Sequence, residues 1–136
     1  NAGRVFMSDL YIQNSQLSVD EVIEKLKEAV PNNKFGILHS YDIKKTLAGK
    51  GHELTEECHV FEVCNPKVAK DILEKDMNLA TVLPCRISVF TQDGATKVGL
   101  ALPSKHITQL SDADDLSSLI DPVEQSLIKI IDQSIV

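Results

Sequence analysis

Residues 58–90 decide how this chain is read: CHVFEVC (58–64), NPKVAKDILEK (65–75), DMNLATVLP (76–84) and CRISVF (85–90). The first segment is rich in the β-branched and aromatic types that fit a pleated surface, and it predicts a strand. Asn65 then offers a side-chain oxygen to free helix N–H groups. Pro66 suits the first helical position, where no N–H is needed. Val68, Ala69, Ile72 and Leu73 make one apolar stripe of a short helix that ends in the polar patch at residues 76–78. Pro84 blocks further helix and sets up an extended chain, so residues 85–91 predict the next strand. Gln92-Asp93-Gly94 is a turn signal, and residues 97–102 predict the returning strand of a hairpin.

Outward from this stretch, residues 4–13 alternate loosely and predict a first strand, with a turn over 14–17. Ser18 and Glu21 form a capping box, in which each side chain satisfies the other's backbone donor. Val19, Val22, Ile23, Leu26, Ala29 and Val30 recur at helical spacing until Pro31, which is expected to stop the helix. Residues 34–41 predict the second strand. Asp42 caps a short helix over 43–48 that Gly49 and Gly51 terminate. The tail after Pro103 is polar to Asp114. Asp121-Pro122 then repeats the cap-plus-proline start, and Val123, Leu127, Ile130, Ile131 and Ile135 form a terminal stripe.

The expected class is α+β: an antiparallel sheet in the order β-α-β-β-β-β-α, a meander with the two long helices on one face. At 136 residues, 43% hydrophobic and 25% charged, residues 3–136 fit one domain with its own core. Asn1-Ala2 resembles the scar of a cleaved tag. Both side-chain parities of the strands carry apolar residues: Val60 beside Phe61, Val89 beside Phe90, Leu38 between Ile37 and His39. Two apolar faces need two covers. Helices supply one, and a second subunit or a ligand is expected to supply the other.

The Cys-Asn-Pro and Leu-Pro-Cys pair, framed by Phe35-Gly36-Ile37 upstream and the hairpin downstream, resembles the family called domain of unknown function 302 over residues 35–103. The resemblance implies a small α+β domain similar to the TATA-binding-protein-like fold, commonly a homodimer, with no established activity. Nucleic acid is not the expected partner. A formal net charge of -6 works against a phosphate backbone, whose affinity comes from neutralising cations.

No run of about 18 apolar residues is present, so no membrane span is expected. Three cysteines in a chain of this length do not make a disulfide scaffold. They point to a reducing compartment, and the expected location is cytoplasmic.

The chemistry-bearing candidates are few. Cys58 and His59 are consecutive on a strand and point to opposite faces. Cys58 and Cys64 share a face about 20 Å apart at strand rise. Cys64 and Cys85 remain. On antiparallel neighbours they meet where one strand ends and the next begins, as a redox pair, a soft-metal site or the mouth of a ligand pocket. The weightier reading is that they are small buried hydrophobes. His39, His52 and His59, with Glu53, Glu56 and Glu57 near in sequence, would gather at the opposite end, but no His-x-His or His-Glu-x-x-His spacing is present. His106, in the polar tail, receives no role. Lys44, Lys45 and Lys50 with Gly49 and Gly51 lack the Walker spacing and read as a solvated helix end.

The expected function is a homodimeric ligand- or partner-binding module, with Cys64, Asn65, Cys85, His39 and His59 as candidate ligand-binding residues. The competing class is a thiol- or metal-dependent enzyme or carrier using Cys64 and Cys85. No metal, cofactor or catalytic residue is assigned.

Overall fold

The structure, a computed structural model, describes residues 5–7 and 9–136. In chain order the elements are β1 (Val5–Met7), β2 (Leu10–Ser15), α1 (Val19–Asn32), β3 (Gly36–Asp42), α2 (Ile43–Gly49), β4 (Cys58–Cys64), α3 (Pro66–Lys75), a 3₁₀ turn (Met77–Thr81), β5 (Cys85–Gln92), β6 (Ala95–Ala101), α4 (Pro103–His106) and α5 (Leu116–Ser134). Among the described residues, six antiparallel strands form one sheet in the order β1-β2-β6-β5-β4-β3. The meander holds from β3 to β6. The first part of the chain returns to lie beside β6, so the predicted first strand is two strands, β1 and β2, that pair as a hairpin.

Strand parity sorts the sheet. Tyr11, Phe61, Val63, Ile87, Val89, Val98 and Leu100 face the helices and are buried with the stripe Val22, Leu26 and Val30 of α1 and Leu127, Ile130 and Ile131 of α5. Burying such side chains, at about 1.5–3 kcal/mol each, is the dominant favourable contribution to the fold. The capping box of α1 is complete. Glu21 N–H donates to Ser18 Oγ at 3.2 Å and Ser18 N–H donates to Glu21 Oε1 at 3.0 Å.

Two expected helix boundaries are corrected. Pro31 does not stop α1, which runs to Asn32; Asn33 caps the end, its Nδ2 donating to Ala29 O at 2.8 Å. α5 begins at Leu116, not at Asp121, with Pro122 inside the helix. The lost N–H is offset by Leu116 and Ile120, which bury against Ile72, Leu79 and Ile107 in a second cluster. That cluster draws Ile107 of the apparently polar tail into the interior.

The open face of the sheet is mixed rather than oily. It carries Leu10, Ile12, Val60 and Phe90, and also Glu62, Arg86, Ser88 and Lys97. Leu38 does not belong to a second apolar parity. A β-bulge sets it between Ile37, opposite Val63, and His39, opposite Glu62.

Candidate functional site

Cys64 closes β4, and the chain turns at once into α3. Asn65 caps the helix, its Oδ1 accepting from Val68 N–H at 3.3 Å, and Pro66 fills the first turn. On the outward side of α3, Lys67 pairs with Asp71 at 3.3 Å and Lys70 with Glu74 at 3.0 Å, exposed pairs of small energetic weight. The inward side presents Val68, Ala69, Ile72 and Leu73. After the 3₁₀ turn the cis Leu83–Pro84 peptide delivers Cys85 opposite Val63 of β4.

These pieces enclose a hollow of about 260 Å³. Phe35 and Leu38 stand on one side, and Ile107, Ile120 and Val123 line the other. Cys64, Asn65 and Cys85 all line it, so three of the five sequence-predicted site residues come together. Among the described residues, no acid, lysine, arginine or histidine lines it.

The thiols do not have the character of nucleophiles. Burial pushes Cys85 up to about 11, with the neighbouring Cys64 adding to the shift. Burial also raises Cys64. It raises Cys58 too, where Asp42 contributes. A reactive cysteine needs the opposite, a stabilised thiolate. All three cysteines are free.

The two histidines are not part of this hollow. Register places His39 opposite Glu62 on the open face, where it stacks on Tyr41 with ring centroids 6.4 Å apart. His59 lies opposite Asp42 with the other parity and sits 3.5 Å from Glu57. The expected gathering of His39, His52 and His59 is therefore corrected: sheet parity sends His39 and His59 to opposite faces, and His52 is in an exposed loop. Among the described residues no group of three or more His, Cys, Asp or Glu could hold a metal ion. Lys44 is engaged locally, donating to Thr55 O at 3.0 Å and pairing with Glu57 at 3.2 Å.

Sequence reasoning missed Leu38, Ile107, Ile120 and Val123 as walls. The bulge at Leu38 has no local signature, and Ile107 is a lone apolar residue in a polar tail. Ile120 precedes the proline that was read as the helix start.

The sequence matches the family described as Domain of unknown function DUF302 over residues 11–134. The chain belongs to that family, and the match extends well beyond the residues 35–103 that carried the resemblance. The crystal structure of the uncharacterized conserved protein DUF302 from Bacillus stearothermophilus is similar, at 26% identity and a TM-score of 0.87, covering 93% of this chain and 98% of that one. No curated protein matches the chain. The family carries no assigned function, and nothing supports a thiol- or metal-dependent enzyme. Among the described residues, no helix is long and apolar enough to cross a membrane.

Proposed function

We propose that the domain is a non-enzymatic binding module that takes a small, uncharged, apolar ligand in the hollow between α3 and the ends of β4 and β5. The observation that carries this reading is the hollow's lining. The residues that line it contribute apolar walls and two thiols that burial raises, with no acid, base or histidine among the described residues there to drive a reaction. Unfilled apolar walls forgo dispersion contacts, and an apolar ligand restores them. Asn65 spends its oxygen on Val68 N–H, so its amide NH₂ is the polar handle for orienting the ligand. Solvent extraction of freshly purified protein, read by mass spectrometry, is expected to recover a neutral small molecule near one equivalent. An empty extract, together with no saturable binding of apolar probes, would overturn the reading.

The proposal has a second part, that two copies associate through β3. It is an edge strand of seven residues with an unpaired outer side, and its Leu38 and Tyr41 are 51% and 44% exposed. Such an edge is a template for a second strand, and a two-fold axis would pair it with itself. Sedimentation at micromolar concentration is expected to give a dimer, and Leu38→Lys to shift it to monomer. A monomer at all concentrations would remove this part. The reading takes residues 3–136 as one unit in a reducing, cytoplasmic setting, which three free cysteines support. The acidic balance favours partners other than nucleic acid.

A further inference from the structure

On the opposite side of Pro84 and Cys85 lies a second hollow of about 350 Å³, on the open face of the sheet. Leu10, Ile12, Phe90 and Gly99 supply its apolar surface, and Arg86 and His106 also line it. In a chain of net charge -6 this is a notable placement. The sequence has two arginines and four histidines, and among the described residues one of each borders this groove while no carboxylate lines it.

Arg86 is not used up within the protein. Its side chain is 61% exposed, and its ion pair among the described residues is with Glu62 at 3.6 Å, longer than a hydrogen bond. Glu62 is already held from the other side, where Oε1 accepts from Tyr41 Oη at 2.9 Å. Glu62 thus anchors the guanidinium loosely, and the planar fork of donors is left to meet another anion. His106 contributes differently. Its Nδ1 lies 2.9 Å from Leu102 O, and a carbonyl oxygen only accepts, so Nδ1 carries a hydrogen and donates. In the neutral ring Nε2 is then an acceptor, so His106 borders the groove and the donors for an anion are those of Arg86.

The apolar part of the groove is built on purpose-sized residues. Gly99 has no side chain, and a Cβ placed there would come within 3.3 Å of Ile12 Cγ1 and 3.7 Å of Phe90 Cε1. Ile12 and Phe90 therefore close over Gly99 and make a continuous apolar surface beside the cation. A cation at the end of an apolar strip matches a head and a tail. The groove's size lies near the lower end of the roughly 300–1,000 Å³ range of small-molecule sites.

We propose that this groove binds a small amphipathic carboxylate, its head on Arg86 beside His106 and its hydrocarbon on Ile12, Phe90 and Gly99. It lies at the β2–β6–β5 side of the sheet, away from the β3 edge assigned to self-association, and it is independent of the apolar ligand assigned to the hollow under α3.

The test is a titration of ¹⁵N- and methyl-labelled protein with octanoate, octanol and octylammonium, which share a chain and differ in the head. Octanoate is expected to shift the signals of Ile12, Phe90, Gly99 and Arg86 saturably, at least about tenfold tighter than octanol. Octylammonium is expected to be weakest there, and added salt to weaken octanoate. Arg86→Gln is expected to remove the preference for octanoate over octanol while leaving the fold's spectrum intact, since the side chain is largely exposed. Equal affinity for the three heads, no effect of Arg86→Gln, or octanoate shifts confined to Val68, Ile72 and Leu73 would each overturn the proposal. The last outcome would leave the hollow under α3 as a site in its own right.

Discussion

Two hollows flank the start of β5, and they differ in kind. The one beneath α3 is walled by two clusters of apolar side chains and contains no charge. The one on the open face is floored by half-buried apolar residues and bordered by Arg86 and His106. They share Pro84 and Cys85. What separates them is the sheet itself. Alternate side chains of one strand pass to the helix-covered interior or to the open face, so neighbours in sequence meet unlike surroundings. Ile87 is fully buried, while Arg86 beside it is largely exposed. A strand's two parities can thus border two hollows of different chemistry.

The largest effect that tests this contrast is a truncation on each face. Ile87→Ala removes a fully buried side chain and is expected to cost about 2–5 kcal/mol in urea unfolding. Val60→Ala, on the open face of neighbouring β4, is expected to cost less than about 1.5 kcal/mol. Equal costs would erase the distinction between the faces.

Next comes pH. The Cys85 thiol is pushed up to about 11 by burial, whereas in the unfolded chain it titrates near 9.0. The raised folded value means that the contribution is fully present below about pH 9 and is lost as pH rises through about 11. The full loss is about 3 kcal/mol. Cys85→Ala is expected to flatten that part of the stability profile relative to the parent protein, measured by denaturant unfolding between pH 8 and 11. An unchanged slope would contradict the burial of this thiol. Alkylation followed by mass spectrometry gives the same contrast kinetically, with Cys85 expected to react more slowly than Cys58, whose shift is smaller.

Gly99→Ala sharpens the open face. The added methyl presses on Ile12 at 3.3 Å and is expected to cost about 1 kcal/mol. Ile12→Ala in the same chain removes the crowded Cγ1 and is expected to recover part of it, because neighbouring substitutions couple. Strict additivity in that double-mutant cycle would mean that Ile12 does not close over Gly99. The smallest effect lies away from both hollows. Ser18→Ala breaks the capping box of α1 and is expected to cost about 1 kcal/mol or less, with ligand binding unchanged.

Much of the fold is written in local chemistry. Asn65-Pro66 and Ser18 with Glu21 each mark a boundary through hydrogen bonds made within a few residues, and the Asp93-Gly94 turn marks one through two consecutive residues of positive φ. The meeting of Cys64, Asn65 and Cys85 was legible because antiparallel neighbours bring a strand's end beside the next strand's start. What was not legible depends on distant partners. Pro122 looks like a helix start until Leu116 and Ile120 find Ile72, Leu79 and Ile107 across the molecule. Leu38 looks like evidence for a second apolar face until the bulge is seen. Arg86 is an ordinary surface residue in sequence and gains meaning from His106, twenty positions away, and from the Phe90–Gly99–Ile12 surface.

The most direct measurement is a methyl-resolved NMR titration with an uncharged apolar probe such as cyclohexanol, run on the parent protein and on Ala69→Phe, which fills the hollow under α3. Saturable shifts at Val63, Val68, Ile72 and Leu73 that vanish in the filled variant are the expected result. An absence of saturable shifts, or the same shifts in both proteins, would contradict the assignment of this hollow as the ligand site.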